Sequence, residues 1–204
     1  MAKYDFRFAI FGGSFNPVHN GHIMIAQLLK EELNIENLLI VPTKVSPFKQ
    51  NEKFSASFEK RFNWIRKSFQ GLDNFKISDV EWMMQNDISY TYLTLETLKK
   101  KLGEYPLILI GEDSLNSFTK WKNWQEIISK TSLGVYPRDS VKLDREKLIE
   151  DGLDFSKVLF PPLPKIDISS SLIRQRIAEG KSIRSFVPYS IEDELIEFYS
   201  SVNK

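Results

Sequence analysis

The chain has two histidines, His19 and His22, and both fall in the segment Gly12-Gly-Ser-Phe-Asn-Pro-Val-His-Asn-Gly-His22. An imidazole N–H can donate to a phosphate oxygen, and an imidazolium adds charge. The paired glycines let a ligand approach the backbone without meeting a Cβ. The N–H groups of such a turn, and of the helix it opens, attract anions. Gly-Gly and Asn-Pro can also be mere turn residues beside one structural His. Both histidines clustered with glycines at one strand-to-helix turn weigh against that. A metal role for His19-x-x-His22 lacks a third ligand nearby, and phosphate contact explains both rings. A second segment, Ile168-Ser-Ser-Ser-Leu-Ile-Arg174, sets hydroxyls at a helix start with an Arg one turn further in. That suits a forked contact to phosphate oxygens, although such a run taken alone is usually a capped helix with a solvated Arg.

These residues need elements to hold them. Phe6–Phe11 reads as a buried strand ending at Gly12-Gly13, and Gly21–Leu33 as an amphipathic helix with Ile23, Ala26, Leu29 and Leu33 at near-helical spacing. Further strands are predicted at Leu38–Val41, Phe75–Val80, Leu107–Ile110, Ser132–Tyr136 and Lys157–Phe160. Helices are predicted at Ser57–Phe69, Tyr92–Leu102 and Trp121–Lys130. Residues 43–56 and 137–147 read as longer surface loops. The chain closes with helices at Leu172–Ala178, stopped by Gly180, and from a capping box at Ser190-Ile-Glu-Asp193 to about Ser200. Alternating strands and helices predict an α/β fold with a mostly parallel sheet, whose ligands bind beyond the carboxyl ends of the strands. No internal repeat or linker divides the chain. One domain is therefore expected over 1–204, with 165–204 as its C-terminal helical part.

Composition sets outer limits. Of 204 residues 42% are hydrophobic and 27% charged, with a net charge of +1. No global basic field argues for nucleic acid or a membrane surface. Cysteine is absent, which excludes a disulfide framework, thiol catalysis and cysteine-held metal centres. Apolar runs are too short to span a bilayer, and the first residues carry charge where a signal peptide needs an apolar stretch. A cytoplasmic enzyme or binding protein is expected, and a homo-oligomer is compatible with the sequence.

The first segment resembles the HxGH signature of the nucleotidyltransferase superfamily, with Asn16 where many bacterial members have Asp. Ile168–Arg174 looks like the superfamily's ISSTxIR motif, with Ser171 replacing Thr. Ser46-Pro-Phe-Lys49 follows the second strand, as in members where a Lys reaches the triphosphate. Ser89-Tyr-Thr91 with Thr94-Leu-Glu96 resembles the SYTxDTL segment of bacterial nicotinate mononucleotide adenylyltransferases. Gly111-Glu-Asp113 matches their GxD, and Phe118–Trp121 their FxxW. The chain is thereby identified as similar to bacterial nicotinate-nucleotide adenylyltransferases over almost its whole length.

That resemblance implies a Rossmann-like, doubly wound fold. It implies transfer of the adenylyl group of ATP to nicotinate mononucleotide, giving deamido-NAD and pyrophosphate. His19, His22, Lys49 and Arg174 would be catalytic. Gly12, Gly13, Ser14, Phe15, Gly111, Asp113, Ser169 and Ser170 would bind ATP. Ser89, Tyr90, Thr91 and Trp121 would bind the nicotinate nucleotide. Mg²⁺ would be held mainly by ATP phosphates, with no protein metal site. Glu96 could favour the amide, nicotinamide mononucleotide, if it pointed inward. Rival readings are that same chemistry on the amide, a phosphopantetheine adenylyltransferase or cytidylyltransferase, and a catalytically silent nucleotide-binding module. Gly180-Lys-Ser182 resembles the end of a Walker A loop, but its first glycine position holds Gln175. No GxGxxG and no GxSxG occur. Trp82, Trp121 and Trp124 could all be core, and Trp121 stands out through its FxxW context.

Overall fold

A computed structural model describes residues 4–45, 55–86, 88–138 and 142–202. Its centre is a six-stranded, wholly parallel sheet in the order β3-β2-β1-β4-β5-β6. The strands are β1 (Phe6–Gly13), β2 (Ile35–Pro42), β3 (Phe75–Ile77), β4 (Leu107–Gly111), β5 (Leu133–Tyr136) and β6 (Val158–Leu159). The helices are α1 (Asn20–Glu32), α2 (Phe58–Phe69), α3 (Val80–Met83), α4 (Thr91–Leu102), α5 (Glu112–Asn116), α6 (Trp124–Lys130), α7 (Arg145–Glu150), α8 (Ser170–Ala178) and α9 (Glu192–Val202). The order reverses at β1, which lies between β2 and β4, and a crevice opens where successive connections leave to opposite sides.

Both faces of the sheet are covered, so its central strands carry continuous apolar runs: Phe8–Phe11, Leu38–Val41 and Leu107–Ile110. Side-chain alternation sorts them between two cores. Leu38 and Ile40 of β2, with Leu107 and Leu109 of β4, join α1, α2, α8 and α9 on one face. Leu39 and Val41, with Ile108 and Ile110, join Leu95 and Leu98 of α4 and Ile127 of α6 on the other. The C-terminal helices thus belong to the first core: Ile173, Ile177, Leu195 and Tyr199 are all buried in it.

β1 ends at Gly13, as the sequence reads, with Gly12 and Gly13 still paired within it opposite Val41 and Pro42. Other boundaries differ from the sequence reading. The third strand stops at Ile77, and Val80 opens α3 instead. The Trp121–Lys130 helix begins at Trp124, after a single 3-10 turn over Phe118–Lys120 and a left-handed Asn123 (φ 57°). The expected loop 137–147 ends inside α7. Most of the 43–56 loop, including Ser46-Pro-Phe-Lys49, lies outside the described residues.

Candidate active site

A cleft of about 730 Å³ opens at the carboxyl ends of β1, β4 and β5. Its floor is the β1–α1 turn. Phe15 there takes a left-handed backbone (φ 47°), which is costly for an aromatic residue. Packing holds it: the ring is buried, edge-on to Phe11 at 5.9 Å and against His22 at 4.9 Å. Beneath the turn lies Arg61 of α2, a buried guanidinium donating to Ser14 O (2.7 Å), Lys44 O (3.2 Å) and Ala56 O (3.1 Å). One side chain therefore sets both the β1–α1 turn and the exit of β2. A Cβ on Gly12 would meet nothing nearer than Val41 O at 3.9 Å, so the strand offers bare backbone to the cleft.

His19 precedes α1 and His22 sits in its first turn, with their rings stacked at 3.6 Å. His22 Nδ1 accepts from the His19 backbone N–H at 3.2 Å. A neutral His22 therefore carries its proton on Nε2. His19 is 2% exposed. Burial, with the nearby Arg138 guanidinium, lowers its pKa to about 3. His19 is therefore a neutral ring at pH 7, and the imidazolium charge envisaged from sequence is not available from it. Its Nδ1 is buried without a hydrogen-bond partner among the described residues, as is Arg138 Nε. A buried His19 Nδ1 without such a bond, lining the cleft, marks a place for a polar ligand.

The second motif meets the first directly. Arg174 Nη1 donates to Asn16 O at 2.6 Å, and Nη2 to Ser171 Oγ at 3.2 Å. The Ser170 hydroxyl donates to Pro17 O at 2.8 Å, so its proton binds α8 to the turn rather than facing a ligand. Ser169 caps α8, its Oγ accepting from Leu172 N at 3.1 Å, and that hydroxyl keeps its own proton to donate. Asn16 Oδ1 accepts from Ala56 N (3.1 Å) and from the Tyr199 hydroxyl (2.7 Å). A neutral amide thus fills the acceptor role here.

On the β4–β5 side, Gly111 ends β4 and Asp113 follows in α5. A Cβ on Gly111 would meet Asp113 Oδ1 and come within 3.0 Å of the Tyr136 ring, so a side chain here would displace the Asp113 carboxylate. Asp113 Oδ1 lies 3.4 Å from Arg138 Nε. On the third side, Ser89 and Tyr90 lead into α4 at Thr91, and the Leu93 and Thr94 N–H groups of its first turn both donate to Tyr90 O, at 3.0 and 3.2 Å. Trp121 faces them across the opening, and Lys122 Nζ stands 4.6 Å over the Tyr90 ring.

One cleft thus gathers Gly12, Gly13, Ser14, Phe15, His19, His22, Ser89, Tyr90, Thr91, Gly111, Asp113, Trp121, Ser169, Ser170 and Arg174. Lys49 lies outside the described residues. Glu96 does not point inward: its carboxylate takes Tyr105 OH (2.9 Å) and Lys130 Nζ (2.7 Å) on the outer side of α4. Trp124 is buried core, whereas Trp82 is 41% exposed and stacked on Phe58 at 4.8 Å. Sequence reasoning missed Arg138 and Glu81, which also line the cleft. Arg138 stands just past the end of β5, where the strand-end rule directs attention. Glu81 is a lone acid within Val80-Glu-Trp-Met-Met84, a setting that implies a partnered carboxylate.

The cytidylyltransferase-like family matches residues 10–176. A protein of Thermotoga sp. (strain RQ2), named "Probable nicotinate-nucleotide adenylyltransferase", is 37% identical over 195 residues, covering 96% of this chain and 97% of its own. A namesake from Rhodopirellula baltica is 36% identical over 188 residues, covering 89% and 87%. Among solved structures, the Plasmodium falciparum nicotinic acid mononucleotide adenylyltransferase complexed with NaAD superposes with a TM-score of 0.75. It shares 20% identity and covers 98% of this chain and 97% of its own, a likeness of fold.

Proposed function

The chain belongs to the cytidylyltransferase-like family and, within it, to the nicotinate-nucleotide adenylyltransferases, and from that membership we infer how its cleft works. The reaction is adenylyl transfer from ATP to nicotinate mononucleotide in NAD biosynthesis. A 5′-phosphate oxygen of the mononucleotide attacks the α-phosphorus of ATP. The bond from that phosphorus to the β-bridging oxygen breaks, and pyrophosphate leaves with the electron pair. The attacking group is already ionised, so no protein nucleophile or base is required. Catalysis is positioning plus neutralisation of the charge that grows on the phosphorus oxygens.

The roles of individual residues are our proposal. His22 donates from Nε2 to the α-phosphate, with neutral His19 stacked behind it. Arg174 uses the N–H groups not held by Asn16 and Ser171 on the β- and γ-phosphates, and Lys49 adds charge there by its resemblance to the triphosphate lysine. Ser14 and Ser169 add neutral donors, and bare backbone at Gly12, Gly13 and Phe15 admits the phosphates. Asp113, beside Gly111, accepts from a ribose hydroxyl. Trp121 stacks on the pyridine, and the Ser89–Thr91 segment with the α4 N-terminus binds its carboxylate. The described residues contain no cluster of three or more acidic, His or Cys side chains able to hold a metal. The donor set suits an ATP that arrives with Mg²⁺ on its own phosphates, where the ion would withdraw charge from the leaving group. We read 1–204 as one nucleotidyltransferase domain with 165–204 as its helical part. No described helix is long and apolar enough to cross a membrane, which accords with a cytoplasmic site of action.

The observation that carries this assignment of roles is the Arg174 contact to Asn16 O, which brings both phosphate-binding segments to one cleft. The test is to incubate the protein with ATP, Mg²⁺ and a panel of acceptor phosphates and weigh the products. Nicotinate adenine dinucleotide and pyrophosphate are expected. Turnover on phosphopantetheine alone would overturn the reading.

A further inference from the structure

Glu81 stands beside the segment assigned above to the pyridine, and the reaction as described leaves it without a role. It lines the cleft beside Ser89, Tyr90, Thr91 and Thr94. Its Oε2 accepts the Lys44 N–H at 3.2 Å, and its Oε1 accepts the Thr94 hydroxyl at 3.0 Å. The Lys44 N–H also reaches Ser89 Oγ at 3.0 Å, and Ser89 N donates to Val45 O at 3.0 Å. The exit of β2 and the pyridine segment are thus laced together around one acid. Burial raises the Glu81 pKa, and the Ser89 and Thr94 hydroxyls, the Lys44 N–H and the Arg61 charge act against that rise.

A carboxylate in this wall has a chemical consequence. An unmasked acceptor there would take the NH₂ of a carboxamide and repel a second carboxylate. The acid substrate is favoured only if Glu81's lone pairs are turned to internal donors. Thr94 is the donor whose choice is open. In the first turns of a helix a threonine hydroxyl ordinarily bonds the carbonyl four residues back. Here Tyr90 O lies at 3.4 Å, yet Glu81 Oε1 is closer at 3.0 Å. The hydroxyl has one proton, and the carboxylate takes it.

Resting on the pyridine assignment made above, we propose that Thr94 is a specificity-positioning residue, which masks Glu81 and thereby sets the preference for nicotinate over nicotinamide mononucleotide. Thr94 is itself buried, and its hydroxyl is turned to Glu81.

The test measures kcat/KM for the two mononucleotides, and KM for ATP, in wild type, Thr94→Val, Thr94→Ser and Glu81→Gln/Thr94→Val. Thr94→Val is expected to lower the acid-to-amide ratio roughly tenfold, through the pyridine KM with the ATP KM unchanged. Thr94→Ser keeps the hydroxyl and the wild-type ratio. Glu81→Gln in the Thr94→Val background restores the acid preference, because no carboxylate remains to be unmasked. An unchanged ratio in Thr94→Val, or no restoration in the double variant, overturns the proposal. Should Thr94→Val fail to fold by circular dichroism, Glu81→Gln alone decides. It keeps an acceptor for Lys44 N–H and is expected to hold or raise the acid preference, and a lowered preference overturns the masking role. A wild type that adenylylates neither mononucleotide overturns the pyridine assignment itself, whereas an active enzyme indifferent to Thr94 overturns only the masking.

Discussion

The Tyr199 hydroxyl donates to Asn16 Oδ1 at 2.7 Å, joining the last helix to the first turn across 183 residues. Both partners are buried, and the same oxygen also accepts Ala56 N–H. Tyr199→Phe removes one of two donors from a buried acceptor, which costs about 1–3 kcal/mol. Urea denaturation should show that loss. Asn16→Asp keeps an acceptor for both donors and is expected to retain turnover. An inactive, folded Asn16→Asp would show that the amide does more than accept.

His22→Ala is expected to lose on the order of 10²–10³ in kcat, the scale for removing one preorganised donor. It also removes the acceptor of the His19 N–H, so about 1 kcal/mol of stability should go with it. Steady-state kinetics beside a thermal melt separates the two. A variant with wild-type turnover, or one that is unfolded, would remove His22 from the chemistry.

His19 gives the protein an acid-sensitive limb. Its pKa falls from 6.5 to about 3 on folding, first through burial and then through Arg138. Between those values the unfolded chain binds the extra proton, so stability rises with pH there. The contribution is complete above about 6.5 and is lost as pH falls toward 3. His19→Asn should therefore flatten the slope of unfolding free energy against pH in that window. Equal slopes in the two proteins would show that His19 titrates normally.

Arg174 holds the β1–α1 turn through Asn16 O while it faces the cleft. Lysine has no planar fork to serve both directions. Arg174→Lys should raise the ATP KM and should not rescue Arg174→Ala. An unchanged ATP KM in Arg174→Ala would confine Arg174 to structure.

Much of this was legible because the central strands are continuous apolar runs and the phosphate-binding residues are contiguous in sequence. Ile108 and Leu109 announce β4 without reference to anything else in the chain. What escaped depends on tertiary placement. Helix α3 has only four residues, too few for a period to register, so Val80 was read as the end of a strand. Glu81 and Arg138 come from separate connections, and only the parallel sheet carries them to the same cleft. Glu96 shows the converse. Its neighbours Thr94 and Leu95 are buried, but the helical phase turns Glu96 outward to Tyr105 and Lys130.

The bonds from Ser170, Arg174 and Tyr199 to the β1–α1 turn also order events in time. A ribosome releases the histidine segment first and these three residues only after 153 or more further residues have followed their partners. Until they emerge, the carbonyls of Asn16 and Pro17 lack the partners that fix the turn. Nascent chains can pair their strands early, yet the turn gains its last partner only once Tyr199 has emerged. A chain cut short before Ser170 would accordingly lack all three bonds.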